Sequence, residues 1–259
     1  MEIALLGYGR MGKVVEAVAE ERGHRIVQRV GAGDGDAALD ADVAIDFSVA
    51  GAVPENAARA VRAGVSLVVG TTGWEEREDE VRRAVEEGGI GFLHAPNFSL
   101  GAHLFYRLAE LAGSLVGVYG DYDVDLSETH HRHKRDHPSG TARRLADLLV
   151  ATVATKERWV EGPVSPDEPA TLGVTSIRVG EARGTHVVEL DGPDDRIEMR
   201  HEARSRKGFA RGAMEAAEWL AGRAGWFTLD DMLTERLDPA PESTGAQVRA
   251  DTESTETDR

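Results

Sequence analysis

Cysteine is absent from the 259 residues, which excludes a disulfide framework, a thiolate metal site and a thiol nucleophile together. Lysine is scarce: Lys13, Lys134, Lys156 and Lys207 are the four, so nearly all positive charge is arginine. Positive charge is itself outnumbered, and the formal net charge of −16 opposes nonspecific contact with phosphate backbones or anionic lipid. Nucleic acid and membrane are thereby set aside as partners. An acidic, lysine-poor surface fits a proteome adapted to high salt, where a Debye length of about 3 Å screens the self-repulsion. A GC-rich genome, which also favours arginine over lysine, is the plainer reading beside it. No apolar run approaches the roughly 20 residues that span a bilayer. Met1 to Leu6 has neither a basic leader nor a small-residue cleavage site, so it reads as a first strand and not as a secretory signal. A cytoplasmic protein is expected.

What is present in the first half is alternation. Short apolar or β-branched runs at 2 to 6, 25 to 30, 42 to 47, 65 to 70 and 90 to 94 flank helix-like segments at 11 to 22, 52 to 63 and 74 to 87. Strand, helix, strand in this order predicts a parallel sheet with right-handed crossovers. Beyond residue 100 come a helix over 100 to 113, an alternating strand near 122 to 128 and a helix over 139 to 154. Three strand-like segments follow at 171 to 180, 185 to 191 and 195 to 203, and these read as antiparallel neighbours in a second sheet. A helix at 208 to 222 closes the pattern. From about Pro239 to Arg259 large apolar residues are almost missing, so this acidic tail is expected to be disordered.

Gly7-Tyr8-Gly9-Arg10-Met11-Gly12 follows the first strand directly and opens the first helix, the context that a G-x-G-x-x-G dinucleotide loop requires. Gly7 and Gly9 would let the backbone turn and approach a pyrophosphate, Gly12 would let helix and strand pack closely, and the helix N-terminus would face the phosphates. With 29 glycines in the chain, a chance match is the competing reading; position favours the loop. The acid that ordinarily binds the ribose hydroxyls at the end of the second strand is missing, since Val30 is followed by Gly31-Ala32-Gly33-Asp34-Gly35-Asp36. Asp34 is the candidate substitute; a simple turn is the alternative, and a calcium loop fails for want of a closing glutamate.

The second informative stretch is Glu128 to Ala142, with four of the nine histidines, three basic side chains and a Ser139-Gly140-Thr141 helix start. In so acidic a chain this is an island of positive potential. It suits a small anionic substrate, with backbone N–H groups at the helix opening to bind a carboxylate and histidines to exchange protons. Two other readings stand beside it: a metal site at His130, His133 and His137, opposed by the adjacent cations, and a solvated loop whose charges do little.

The run His130-His131-Arg132-His133-Lys134, then Asp136 and Pro138-Ser139-Gly140-Thr141-Ala142, resembles the active-site motif of dihydrodipicolinate reductases. Further blocks agree in order: Gly9-Arg10-Met11-Gly12, Ile45-Asp46-Phe47-Ser48, Gly70-Thr71-Thr72-Gly73, Ala95-Pro96-Asn97-Phe98-Ser99, Arg178-Val179-Gly180, and His201 with Ser205-Arg206, Phe209-Ala210 and Gly212-Ala213. Together they span nearly all of residues 3 to 238. The resemblance implies an α/β fold in which a Rossmann-like parallel-sheet domain (1 to 100 plus 207 to 239) holds NADH or NADPH. An inserted α/β domain (101 to 206) would supply the substrate site and the contacts of a homotetramer. Carried over residue by residue, Gly7, Arg10, Met11, Gly70, Thr71, Thr72, Ala95, Pro96, Asn97 and Phe98 would line the cofactor cleft. His130 and Lys134 would be the acid/base pair; His131, Lys134, Ser139, Gly140 and Thr141 would hold the carboxylates of a small dicarboxylate substrate, and no metal is called for. Thr129 and His137 depart from the family, which often has alanine there, and the missing acid after the second strand leaves the choice of cofactor open. A dehydrogenase acting on an amino acid is the rival enzyme, and a nicotinamide sensor without turnover is the rival of another class; the paired His130 and Lys134 favour an enzyme.

Overall fold

The computed structural model describes residues 1–31, 34 and 38–237. Five short strands, β1 (Glu2–Leu6), β2 (Arg25–Val30), β3 (Val43–Asp46), β4 (Ser66–Val69) and β5 (Gly91–His94), are joined by a sixth from much later in the chain, β11 (Gly225–Thr228). The sheet order is β11-β5-β4-β3-β1-β2, and every pairing is parallel. All four residues of β3 are buried, as expected when helices cover both faces. One face packs on α1 (Arg10–Glu21) and α6 (Lys207–Leu220), the other on α2 (Val53–Ala63) and α3 (Glu78–Gly88). The chain runs from β1 outward to β2 and then crosses back to β3. The carboxyl ends of β1 and β3 therefore diverge, and the crevice between them is where open α/β sheets bind ligands.

The second sheet has the order β10-β9-β6-β8-β7, built from β6 (Asp123–His130), β7 (Arg158–Glu161), β8 (Thr171–Arg178), β9 (Thr185–Asp191) and β10 (Arg196–Glu202). It is covered by α4 (Leu100–Tyr119) and α5 (Gly140–Thr152). Here the sequence expectation needs correction. β9 and β10 are antiparallel neighbours, but β6 lies between β8 and β9, and β8 pairs in parallel with both β6 and β7. A strand's own alternation sets which face is buried and carries no record of its partner, whereas the α5 crossover returns the chain parallel to β6.

Helix α4 also runs further than expected. The expected end falls at residue 113, but a Cβ on Gly113 would sit 2.3 Å from Thr152 Oγ1; the glycine lets α4 and α5 approach and does not end the helix. The closing pair, β11 and α7 (Leu229–Leu237), has no counterpart in the sequence reading. The tail expected beyond Pro239 lies outside the described residues. Among the described residues no helix is long and apolar enough to cross a membrane.

Candidate active site

The crevice at the ends of β1 and β3 is shaped by missing side chains. Gly7 has φ +90°, and a Cβ there would lie 2.5 Å from the Phe47 carbonyl oxygen. One on Gly12 would lie 2.4 Å from the Gly7 carbonyl, and one on Gly70 2.2 Å from the Phe47 ring. Gly9 differs: it caps the start of α1 without a side-chain bond, and a Cβ there would meet nothing within 4 Å. Three glycines thus let the walls pack, and the fourth keeps open the space before the unsatisfied N–H groups of a helix end. A pyrophosphate fits that cradle.

Three connected hollows run from it. The first, about 710 Å3, is lined by Gly7, Gly9, Gly31, Asn56 and Arg59. A second, about 420 Å3, is walled by Arg10, Met11, Thr71 and Thr72, and a third, about 260 Å3, by Met11, Pro96, Asn97, Phe98 and Phe209. Of the residues expected in this cleft, Ala95 is packed in the core, and Gly12, buried at the start of α1, lines none of the three hollows. The Thr71 hydroxyl is already committed, donating to Asp46 Oδ1 at 2.8 Å. Asp46, wholly buried at the end of β3, also accepts from Ser48 N and Asn56 Nδ2, each at 2.8 Å, and so ties three segments of the rim together. The Asp34 carboxylate accepts from Gly31 N at 2.6 Å, folding back over the end of β2 without lining the hollows.

Through Asn97 and Phe209 the third hollow meets a small chamber of about 50 Å3 that holds His130, Thr141, Gly184, His186 and His201. At its base, on β6, is the buried Glu128. Glu128 Oε1 accepts from Ser139 N at 2.9 Å, Ser176 Oγ at 2.9 Å and Arg178 Nη2 at 2.8 Å. Its Oε2 lies 2.7 Å from His130 Nδ1, an ion-pair distance, although the two atoms are off the line of a good hydrogen bond. Burial pushes the Glu128 carboxyl up, but His130, Ser139 and Arg178 together outweigh it and hold the group well below the usual carboxylate range. A permanent carboxylate therefore faces Nδ1 of His130. Nε2 is left for other work, on the side of Gly184, where φ is +134° and a Cβ would come within 2.9 Å of it. His186 is pushed down to about 3, first by burial and then by the nearby His130, and so stays neutral.

The other predicted residues divide. Ser139 is consumed internally: its N–H goes to Glu128, its hydroxyl accepts from Ala142 N at 3.2 Å and contacts His186 Nε2 at 3.2 Å. The Gly140 and Thr141 N–H groups are the open donors of the α5 end. His131 lines a neighbouring hollow of about 300 Å3 with Ser205 and Arg206, which shares Arg183 and Phe209 with the histidine chamber. Lys134 Nζ is held by both oxygens of Asp136 at 2.9 Å, and no hydrogen bond or ion pair joins it to His130 among the described residues. His133 faces Glu181 and His137 faces Glu161, so neither completes a ligand set with His130. The group with ligand spacing among the described residues is Glu128, His130 and His186, within 4.8 Å of one another, and Arg178 on the same carboxylate disfavours a cation there. The sequence reading gives no role to Glu128, His186 or Arg59. A carboxylate closing an apolar strand is the signal that could have found Asp46, and an acid in register with the inward Val124 and Leu126 of the alternating strand β6 is the one for Glu128.

Comparison with known proteins gives a consistent set of matches. The family model described as dihydrodipicolinate reductase, N-terminus, matches residues 1–98, and that described as dihydrodipicolinate reductase, C-terminus, matches residues 101–233. The 4-hydroxy-tetrahydrodipicolinate reductase of Christiangramia forsetii is 38% identical over 242 residues, covering 91% of this chain and 98% of that one. That of Archaeoglobus fulgidus is 38% identical over 263 residues, covering 90% and 100%. Among solved structures, the dipicolinate-bound dihydrodipicolinate reductase from Paenisporosarcina sp. TG-14 superposes with a TM-score of 0.73 at 21% identity, over 90% of this chain and 99% of that one; at that identity the likeness concerns the fold.

Proposed function

The chain belongs to the dihydrodipicolinate reductase family, and from that premise we propose that it reduces 4-hydroxy-tetrahydrodipicolinate to tetrahydrodipicolinate, on the diaminopimelate route to lysine, with NADH or NADPH as donor. The observation that carries this reading is the junction at Asn97 and Phe209 between a glycine cradle for a dinucleotide and a chamber of paired ionisable groups. The first sheet with α6 and α7 would hold the cofactor, through Gly7, Gly9, Arg10, Met11 and Gly12 at the phosphates and Gly70 to Thr72 and Pro96 to Phe98 further along the cleft. The second sheet would hold the substrate. A bound nicotinamide supplies hydride; the protein supplies position and protons.

His130 is assigned the proton at Nε2, with Glu128 fixing the tautomer and steadying the charged ring through Nδ1. The Gly140 and Thr141 N–H groups take one substrate carboxylate at the positive end of α5. His131, and Lys134 once released by Asp136, take the other, and Lys134 completes the acid/base pair with His130. Both cofactors are expected to serve within about tenfold in kcat/KM, because neither Gly31 nor Ala32 carries an acid and the Asp34 carboxylate is engaged by Gly31. Self-association into a homotetramer is part of the same reading. It is supported by half-exposed Leu104, Leu108, Leu111 and Leu115 with the more exposed Val118, an apolar stripe on α4 at intervals of four and three residues. We place the enzyme in the cytoplasm.

The test is NADH and NADPH oxidation, each at fixed salt, with the product of dihydrodipicolinate synthase as substrate. Oxidation that depends on that product supports the reading; folded, nicotinamide-binding protein without such turnover overturns it in favour of a sensor.

A further inference from the structure

His103 sits in the first turn of α4 with its side chain only 2% exposed, and both of its ring nitrogens are engaged. Nδ1 lies 2.9 Å from Asp230 Oδ1, and Nε2 lies 2.8 Å from the backbone oxygen of Asn97. A carboxylate and a carbonyl oxygen only accept hydrogen bonds. Both nitrogens must therefore donate, and a ring that donates from both is an imidazolium. A buried cation in the first turn of a helix opposes the helix dipole and needs compensation. Asp230 provides it from the first turn of α7, where the dipole favours an acid. The other oxygen of Asp230 takes the Arg144 guanidinium of α5, which in turn lies 4.6 Å over the Tyr106 ring. With the Arg144 guanidinium on its other oxygen, Asp230 stands as a carboxylate, its carboxyl held far below the ordinary range by the His103 contact and, against burial, by Arg144. Tyr106, whose ring centre is 5.4 Å from that of His103, is the other titratable group against it; Arg107 is turned away to Thr234.

The held peptide belongs to the junction residue. Asn97 lines both the last hollow of the cleft and the histidine chamber. Its side chain accepts from Ser99 N at 2.8 Å and reaches Thr141 Oγ1 on α5 at 3.4 Å. We propose that His103, locked as an imidazolium between Asp230 and the Asn97 carbonyl, is a positioning residue that sets Asn97 and Thr141 where the cofactor cleft opens into the chamber. Through Asp230, one side chain of α7 thereby ties α4 and α5 of the second unit to the loop that closes the first.

The inference rests on the proposed function for its kinetic consequence, but its protonation claim does not. Ring 15N NMR of full-length protein labelled at histidine, at neutral pH, should show His103 with both nitrogens protonated; one protonated and one bare nitrogen overturns the proposal, whatever the activity. In Asp230→Asn, which keeps the side-chain volume, the Nδ1 proton should be lost. For the kinetics, His103→Gln places an amide N–H near the Nε2 position and keeps the bond to Asn97, whereas His103→Asn places it near Nδ1 and loses that bond. We expect His103→Asn to lower kcat about tenfold or more with the NADH Kd within about twofold of native, and His103→Gln to recover most of the loss. Equal losses in the two variants, or native turnover in both, contradict a positioning role.

Discussion

In the cleft over the first sheet the walls are set by what side chains lack: a Cβ on Gly7, Gly12 or Gly70 would lie within 2.5 Å of the opposite wall, and one on Gly9 would fill the space before the helix end. In the chamber over the second sheet the walls are set by ionisable groups, with Glu128, His130 and His186 buried and Arg178 on the same carboxylate. The first region is governed by sterics and backbone dipoles, which pH does not alter. The second is governed by a balance of desolvation and charge, which single substitutions upset. The same chain thus separates recognition by shape from chemistry by charge, and that separation can be attacked from either side.

The largest effect should come from the base of the chamber. Glu128→Ala would strand the buried Ser139 N–H and take the carboxylate from the half-buried Arg178, which keeps the Ile177 and Asp136 carbonyls; the expected cost is about 3 kcal/mol, read as a fall in the denaturant midpoint, together with loss of turnover. Retained stability would mean that water replaces the carboxylate and that the chamber is wetter than its geometry implies. Next, Lys134→Ala should lower kcat by about two orders of magnitude or more, the usual contribution of a positioned proton donor. Near-full activity would leave the Asp136 contact as the whole purpose of that lysine.

Two glycine substitutions sharpen the contrast in the cleft. Gly9→Val should raise the cofactor KM about tenfold or more and spare the fold, checked by circular dichroism. Gly12→Val should cost about 1 to 3 kcal/mol of stability, because its Cβ has the Gly7 carbonyl 2.4 Å away. Equal stability loss in the two variants would erase the distinction between a glycine that packs and one that leaves room.

Those two glycines also mark how far the sequence could be read. The Gly7 to Gly12 loop was legible because its strand, turn and helix are contiguous, and β1, β3, β4 and β5 because burial on both faces leaves short apolar runs. β11 was not: four residues, Gly225 to Thr228, become a strand only against β5, more than a hundred residues earlier. In the candidate site, His130 and the α5 start stood out as a local cluster. The partners of Glu128 lie as far as fifty positions away at Arg178, and nothing local foretells that Ser139 spends its donor on that carboxylate and not on a ligand. His103 was hidden for the same reason, since Asp230 reaches it from 127 residues on.

The last expected effect is the pH dependence of folding. His186 is pushed from an ordinary 6.5 to about 3, so between those values the unfolded chain binds a proton that the folded one refuses, and stability is lost as pH falls through that window. Glu128, held low, adds to the loss once pH drops below its ordinary 4.5. Urea midpoints measured across this range should fall with pH in the native protein and fall less steeply above pH 4.5 in His186→Gln. Parallel curves would place the proton elsewhere.

The separation of the two regions is tested most directly by the NADH dissociation constant of His130→Asn, followed by nicotinamide fluorescence beside its turnover. If the cleft binds by shape alone and the chamber supplies the proton, Kd stays within about twofold of native while kcat falls by about a hundredfold or more. A Kd that weakens in step with kcat would contradict the account, since His130 would then be holding the cofactor and not serving the reaction.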